Sequence, residues 1–318
     1  SNMFRNRLHV EGVYYKKNTK DLLAKVPGLS GTVPGIGNLG QIENKGVELS
    51  ATWRDQIGDW GYNVGVNLTT IKNEVKSLVQ EGYSIIAGDK QQSYTMAGYP
   101  IGYFFYGYKV DGVYQSQADI DASPKNTLAT VTPGDLKFAD VNGDGEITPA
   151  DRTLIGDPTP DVTYGISLGV SYKGWELGID MMGQGGNQIY RTWDNYNWAQ
   201  FNYMEQRLDR WHGEGTSNTQ PVLNTGHAIN FENSEYYVED GSFFRIRNLQ
   251  LGYTFDKALI SKIGLKALKA YFNIQNLKTW KHNTGYTPEF GGSAIAFGVD
   301  NGSYPVPAIY TLGLNITF

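Results

Sequence analysis

Several features that mark common protein classes are missing from the sequence. It contains no cysteine, which excludes a disulfide framework, thiolate catalysis and Cys-ligated zinc. It has no run of about 18 apolar residues, so no transmembrane helix is expected. Lys and Arg number 27 against 32 Asp and Glu, a net charge of -5. Because binding to phosphates requires a basic surface, we expect no nucleic-acid partner.

Catalytic signatures are missing as well. The four histidines lie far apart without zinc-ligand spacing, and neither a GxSxG motif nor a phosphate-binding glycine loop is present. We therefore predict that the chain is not an enzyme and uses no organic cofactor.

What the sequence has instead is the periodicity of β-strands. Its 39 Gly, 22 Tyr, 13 Phe and 7 Trp are residue types favoured in strands, girdles and turns. From Trp60 to Thr69, and again from Val162 to Tyr172, apolar residues alternate with small or polar ones, a period of two that no helix would keep. Lys173-Gly174 then predicts a tight turn into a strand that starts at Trp175, and hence a hairpin.

The alternation recurs often enough to predict about nine strands. Further candidates are residues 47–53, 249–255, 268–274 and 306–318, with weaker ones at 7–15 and 101–114. The side opposite the apolar one carries Gly, Asn, Ser and Thr, whereas a soluble sheet exposes Lys and Glu. This composition favours an all-β chain in a large antiparallel transmembrane barrel, with the apolar side in lipid and the polar side facing a hydrated lumen.

The connections between the predicted strands differ strongly in length. Short turns such as residues 56–59 contrast with long connections such as 114–161 and 190–239. Outer-membrane barrels have short turns on one side and long extracellular loops on the other. The alternative interpretation of the pattern is a soluble β-sandwich or lectin with one buried face.

Several motifs resemble the C-terminal barrel region of SusC/RagA-type TonB-dependent transporters. They are Gly98-Tyr99-Pro100-Ile101-Gly102, Asp111-Gly112-Val113-Tyr114-Gln115, Arg210-Trp211-His212-Gly213-Glu214-Gly215-Thr216, Val238-Glu239-Asp240-Gly241-Ser242-Phe243-Phe244-Arg245 and Gly285-Tyr286-Thr287-Pro288-Glu289. The resemblance implies a barrel of about 22 strands closed around an N-terminal plug. Residues 1–318 would then be the C-terminal barrel segment of such a receptor, without the plug and the first strands.

The same resemblance implies a function, a location and partners. The function would be TonB-linked uptake of oligosaccharides or peptides across the outer membrane of a Gram-negative bacterium. A SusD-like surface lipoprotein would form the lid, and TonB would act through the missing N-terminal part. This chain would supply barrel wall and extracellular loops in outer-membrane lipid. Tyr310 and Phe318 resemble the terminal signal that the barrel-assembly machinery reads.

A second function class stays open at this point. The chain could be a soluble calcium-stabilised β-protein that binds glycans. A soluble binder would stay monomeric in plain buffer, whereas a piece of a barrel would aggregate through its apolar face.

The loop at residues 140–151 has the spacing of a calcium site. It matches the loop of EF-hands and dockerins, in which oxygen ligands stand at positions 1, 3, 5, 7 and 12 and a glycine at position 6 permits a sharp turn. The predicted ligands are Asp140, Asn142, Asp144, Glu146 through its backbone carbonyl, and Asp151. We expect a structural Ca²⁺ here, with Mg²⁺ as the alternative ion. A Gly- and Asp-rich turn without any ion is the other interpretation.

A second loop, residues 190–198, is rich in aromatic and amide side chains. Trp193, Tyr196 and Trp198 are predicted ligand contacts, because aromatic rings stack on sugars and grip peptide backbone. An interfacial girdle or loop packing would explain the same composition. The loop therefore leaves the choice between carbohydrate and peptide cargo open.

Overall fold

Strands dominate the computed structural model, which describes residues 2–21, 23–26, 35–38, 40–78, 82–104, 106–194, 203–223, 226–290 and 292–318. The strands are β1 (Asn2–Met3), β2 (Leu8–Thr19), β3 (Leu23–Val26), β4 (Gly35–Asn38), β5 (Gly40–Ile57), β6 (Trp60–Leu78), β7 (Ser84–Ala87), β8 (Ser93–Met96), β9 (Tyr103–Phe104), β10 (Val110–Val113), β11 (Lys125–Asn126), β12 (Leu136–Phe138), β13 (Glu146–Ile147), β14 (Val162–Tyr172), β15 (Trp175–Gly185), β16 (Gln188–Arg191), β17 (Val238–Asp240), β18 (Phe243–Thr254), β19 (Ala267–Lys281), β20 (Val299–Asp300) and β21 (Ile309–Thr317).

Helices are few and short. They are α1 (Gln117–Asp121) and α2 (Lys257–Ile260), with 3-10 turns at Pro149–Asp151, Glu205–Asp209, Ala228–Phe231, Glu235–Tyr237 and Ser261–Ile263. In the part of the chain that the structure describes, none of the helices has the length and apolar composition needed to cross a membrane.

Nine strands form one continuous antiparallel sheet. Their order is β1-β2-β5-β6-β14-β15-β18-β19-β21, so each strand pairs with the strands that precede and follow it in this list and the sheet is a meander. The prediction of about nine strands is confirmed. So is the hairpin, because β14 and β15 flank a two-residue turn in which Lys173 and Gly174 have φ of 43° and 89°, the left-handed values of a type I′ turn.

The weak strand candidate at residues 101–114 is wrong as a member of this sheet. The segment instead contributes β9 and β10 to two small separate sheets. Gly102 and Gly112 have φ of 68° and 137°, and such backbone interrupts an extended strand. A β-carbon on Gly107 would lie 2.4 Å from Ile155 Cδ1, so the segment is folded tightly against another loop.

The register of the sheet aligns the predicted apolar positions on one face. One row of this apolar face runs from β5 to β21 and consists of Trp53, Val64, Leu168, Ile179, Leu249, Ile274 and Tyr310. Leu49 and Leu312 on the same face are 50% and 83% exposed. A sandwich would cover this face with a second sheet, and the described residues place no second large sheet there. The sandwich interpretation is therefore wrong.

Aromatic side chains border the apolar face at both ends. At the end with the short turns, Trp60 stacks on Tyr172 with ring centroids 4.3 Å apart. At the opposite end, Phe244 lies 5.6 Å from Trp280 and 6.4 Å from Tyr164. From Tyr164 to Tyr172 the strand runs for roughly 26 Å, or about 20 Å of height at the usual barrel tilt. This spacing is close to the apolar band of an outer-membrane barrel, about 25 Å between two aromatic girdles.

The long connections pack into a layer of their own at the end of the sheet away from the short turns. We call the described parts of residues 82–161, 186–242 and 282–308 the loop layer. Its main core consists of Tyr108, Val113, Leu136, Phe138, Ile147 and Ile229. A second cluster adds Ile155, Tyr190 and Tyr237. Among the described residues, the apolar side chains with no exposed surface at all, Tyr108, Leu136, Ile147 and Tyr237, lie in the loop layer, and the large sheet presents its apolar face outward.

Replacement of Leu136 by Ala tests this core. Leu136 is completely buried, so we expect the loop layer to lose about 2–5 kcal/mol of stability, the usual cost of a leucine-sized cavity. Hydrogen exchange of the full-length protein should show faster exchange in the loop layer and unchanged exchange in β14 and β15. Leu208→Ala is the matched control, because Leu208 is 71% exposed and should change stability by less than about 0.5 kcal/mol. Equal protection of the loops in both variants would refute the core.

Candidate functional site

The acidic loop at residues 140–151 is anchored at its middle. Ile147 is completely buried in the main core of the loop layer, and β13 pairs in parallel with β11. Carbonyls of Gly145 and Ile147 accept the N–H groups of Lys125 and Thr127, each at 3.0 Å. Because successive carbonyls along a strand point to opposite sides, the carbonyl of Glu146 points away from β11.

Side-chain oxygens organise the first half of this loop. Asp140 accepts the N–H groups of Gly143 and Gly145 at 2.7 and 2.8 Å. Asn142 Oδ1 accepts the Asp144 N–H at 2.9 Å, and Asp144 Oδ1 accepts the N–H of the second residue after it, also at 2.9 Å. These turns require left-handed backbone at Gly143 and Gly145, with φ of 75° and 86°. The structure therefore brings the three side-chain ligands predicted for positions 1, 3 and 5 into one tight turn.

Asp151 closes the loop through hydrogen bonds to its backbone. Its carboxylate is completely buried and accepts N–H groups of Val141, Asn142 and Thr148 at 3.0, 3.3 and 2.7 Å. Burial alone would raise the pKa of Asp151, but these hydrogen bonds outweigh it and hold the pKa below its ordinary value. Asp151 thus ties the start of the loop to its end.

The loop supplies the chemistry of a calcium site in part. Its potential ligands are carboxylate, amide and carbonyl oxygens, the type that Ca²⁺ prefers. Among the residues that the structure describes, no group of three or more His, Asp or Glu side chains is arranged to hold a metal ion. Both oxygens of Asp140 and both oxygens of Asp151 accept backbone N–H groups. Asp151 is completely buried, whereas Asn142, Asp144 and Glu146 are exposed and Asp140 is half-buried, so these four residues are more accessible to an ion.

The aromatic loop begins at a buried arginine that the sequence did not single out. Arg191, 4% exposed, pairs with Asp194 at 2.7 Å and with Glu239. Its guanidinium carbon lies 5.1 Å from the ring centroid of Tyr236 and 5.5 Å from that of Trp193. Burial alone would lower the pKa of Arg191, but Asp194, Tyr236 and Glu239 together raise it above its ordinary value.

This cluster joins separate parts of the loop layer. Glu239 also accepts the backbone N–H of Thr284 at 2.9 Å, and Asp194 pairs with Arg207 at 3.3 Å. The partners lie up to 48 positions from Arg191 in the sequence. No local sequence pattern could have predicted this cluster, because its members are distant in the sequence and come into contact only in the folded chain.

Trp193 is held in place by two contacts. Its indole N–H donates to Asp300 Oδ2 at 3.2 Å, and the Arg191 guanidinium lies over its ring. It is partly exposed. Tyr196 and Trp198 lie outside the described residues. A ligand-contacting role for these three side chains stays a prediction.

The polar face of the sheet forms a cavity of about 850 Å³. Two β-bulges border the cavity. In one, Arg247 is an extra residue of β18 opposite β15, and the other, in β19, contains Asn276, whose φ is 53°. Asp180, Asn248 and Gln275 also line it. Bulges re-aim side chains and increase strand twist. The polar face expected from the alternation is thus present, and two bulges lie in it.

The predicted assembly signal lies at the last strand, with Tyr310 in β21 and Phe318 directly after it. Tyr310 and Phe318 are 63% and 77% exposed, and the Tyr310 ring stacks on Phe272 with centroids 6.4 Å apart. Within the described residues, β21 pairs with β19 and forms one edge of the sheet. Recognition of Tyr310 and Phe318 by the barrel-assembly machinery stays a prediction.

Comparisons with known proteins agree with this architecture. The family model described as TonB dependent receptor-like, beta-barrel matches residues 2–277. TonB-dependent receptor P3 of Formosa agariphila is 31% identical over 99% of this chain and 33% of its own length. TonB-dependent receptor SusC of Bacteroides thetaiotaomicron is 24% identical over 96% of this chain and 29% of its own length. The chain spans about a third of the length of these curated relatives.

A solved structure shows the same fold. The structure of the RagAB peptide transporter matches all of this chain with a TM-score of 0.80 at 22% identity, and the match covers 34% of the RagAB chain concerned. The meander, its two contrasting faces and its long loops therefore correspond to part of a known large barrel. Since the family model covers most of the sequence as well, the chain belongs to the TonB-dependent receptor-like β-barrel family.

Proposed function

We propose that the protein containing this chain imports a nutrient across the outer membrane of a Gram-negative bacterium. The observation that carries the proposal is the two-faced sheet. Its apolar face has no cover among the described residues. Asn, Gln, Ser, Thr and Gly line the cavity on its opposite face together with the charged Asp180 and Arg247. Such a sheet is stable when lipid covers the apolar face and a hydrated lumen faces the polar one. Membership of the receptor family supports this setting.

The proposal includes a lid, an energy source and a cargo class. A SusD-like lipoprotein would cover the loop layer, and TonB would act through an N-terminal part of the full-length protein. The similarity to SusC and to the RagAB fold supports this arrangement. The cargo would be an oligosaccharide or a peptide, contacted by Trp193, Tyr196 and Trp198. The packed loop core gives such contacts a rigid base, and catalysis has no part in this function.

Fractionation of the cells that make this chain tests the proposal. An antibody against the chain should detect a band far heavier than 35.3 kDa in the outer membrane. Capture of that band in mild detergent should bring down a lipoprotein. A soluble band of about 35 kDa would overturn the membrane function and favour the glycan-binding alternative.

We also propose that the acidic loop binds a structural Ca²⁺. Asp140, Asn142, Asp144 and the carbonyl of Glu146 would be the ligands, with Asp151 as the predicted fifth. The ion would neutralise the carboxylates and fix the loop beside the main core, to which Ile147 attaches it. The number of protein oxygens offered, a backbone carbonyl among them, supports Ca²⁺ over Mg²⁺, because Mg²⁺ keeps several waters and is held by only one or two protein carboxylates.

Calorimetric titration of the full-length protein tests the ion. We expect binding with a Kd on the order of 10⁻⁴ to 10⁻³ M, the range of extracellular calcium modules. Asp140→Ala combined with Asp144→Ala should abolish the heat. Asp121→Ala with Asp209→Ala is the matched control, since it removes two exposed loop carboxylates elsewhere. An unchanged heat in the first double variant would eliminate the site.

We further propose that Tyr310 and Phe318 form the signal read by the barrel-assembly machinery. Both rings are exposed, Tyr310 on the edge strand β21 and Phe318 directly after it, where a receptor could reach them before the barrel closes. The unpaired backbone of that edge would suit recognition by strand addition.

Deletion of Phe318 from the full-length protein tests the signal. We expect a lower amount of the protein at the cell surface and rescue by Phe318→Tyr, which keeps the aromatic ring. Phe4→Ala is the control, because Phe4 is a similarly exposed phenylalanine (65%) near the opposite edge of the sheet. Normal surface levels of the deletion variant would refute the role.

A further inference from the structure

The connection between β18 and β19 is more elaborate than the other turns at its end of the sheet. β5–β6 and β14–β15 are joined by two residues each, whereas residues 256–266, which we call the rim helix, contain α2 and a 3-10 turn. Asp256 caps the start by accepting the Ala258 N–H at 2.7 Å, and Gly264, with φ of 79°, ends it. Such caps fix both ends of a helical segment. The rim helix is therefore capped at both ends.

The rim helix exposes two large aliphatic side chains. Leu259 lies in α2 and Ile263 in the 3-10 turn that follows it. They are 61% and 70% exposed, while Ile260 between them is buried. Their exposure is unfavourable in water and favourable in the interfacial region of a bilayer.

The same segment carries three lysines. Lys257, Lys262 and Lys266 are exposed, and no described carboxylate lies within 4.0 Å of their ammonium nitrogens. Lys173 and Lys269 at the same end differ, because they pair with Asp59 and Glu176. The rim helix thus presents three positive charges without an ion-pair partner among the described residues.

An apolar groove lies next to the rim helix. Its volume is about 770 Å³, and its lining includes Trp175, Tyr253, Phe255, Phe272 and Leu314. Ala270, opposite Tyr253 and Leu314 in the sheet, creates the depression because its side chain is small. Phe255 directly precedes the rim helix and so connects it to the groove. The groove is part of the same apolar face that we place in lipid.

We propose that the rim helix and this groove bind one anionic phospholipid of the leaflet beside the short turns. An acyl chain would fill the groove, and the phosphate would lie among the three lysines, whose apolar stems let the charged ends reach the headgroup level. Trp175 and Tyr253 suit the same level, where aromatic rings collect. Charge complementarity and continuity with the apolar face select this occupant. The inference rests on the proposed membrane setting.

Native mass spectrometry of the full-length protein tests the site. The protein is reconstituted in nanodiscs of equal parts phosphatidylcholine and phosphatidylglycerol, and the retained lipids are counted. We expect preferential retention of phosphatidylglycerol. Because each basic side chain near an anionic surface contributes roughly a fivefold factor, Lys257→Gln with Lys262→Gln and Lys266→Gln should lower the preference by about 10- to 100-fold.

Two further variants sharpen this test. Lys17→Gln with Lys20→Gln and Lys109→Gln removes the same charge from exposed lysines away from the rim helix and should keep the preference. Leu259→Gln with Ile263→Gln should reduce phosphatidylglycerol retention, which binding of the phosphate group alone would leave unchanged.

The outcomes separate the site from the membrane setting. Equal retention of both lipids by the unmodified protein, an unchanged preference in the rim-helix lysine variant, or an equal loss in the control variant would each overturn the lipid site. So would unchanged retention after Leu259→Gln with Ile263→Gln. Failure of the unmodified protein to enter either a mixed or a pure phosphatidylcholine bilayer would overturn the membrane setting itself, and the lipid site with it.

Discussion

Backbone hydrogen bonding between neighbouring strands is the constraint on which the rest of this structure depends. A peptide N–H or C=O left unpaired in an apolar medium costs several kcal/mol, so a wall in lipid must pair its strands along their length. β14 does so on both sides, because all eleven residues from Val162 to Tyr172 face partners in β6 and β15. This fixed register also decides which side chains meet lipid, since a slip by one residue would exchange the two faces.

The places where the ladder is interrupted follow the same constraint. The bulges at Arg247 and Asn276 adjoin the polar cavity, where water can satisfy displaced backbone groups. At the two edges of the sheet, β1 and β21 each have one neighbour in the described chain. An open edge of this kind is unstable in lipid, which is why this segment makes physical sense as part of a closed barrel.

Two parts of the molecule are stabilised by different means. The sheet carries its apolar side outward and depends on its surroundings, whereas the loop layer buries Leu136, Phe138 and Tyr237 in cores of its own. The acidic loop belongs to the second part through Ile147. Arg191 is buried there as well, and a buried charge is tolerated because Asp194 and Glu239 compensate it. Loops packed in this way hold their exposed side chains on a fixed base.

The sequence by itself determined the strands, their two faces and the acidic loop, because these depend on local patterns. The alternation from Val162 to Tyr172 and the Lys173-Gly174 turn specify a hairpin without any long-range contact, and Asp140, Asn142 and Asp144 organise their turn through neighbours within five residues. Only the tertiary structure decided that residues 101–114 leave the sheet, where Gly107 packs against Ile155. It alone revealed the loop cores, the Arg191 cluster and the rim helix beside its groove. These features depend on contacts between residues that are distant in the sequence, and such contacts produce no periodic pattern in the sequence.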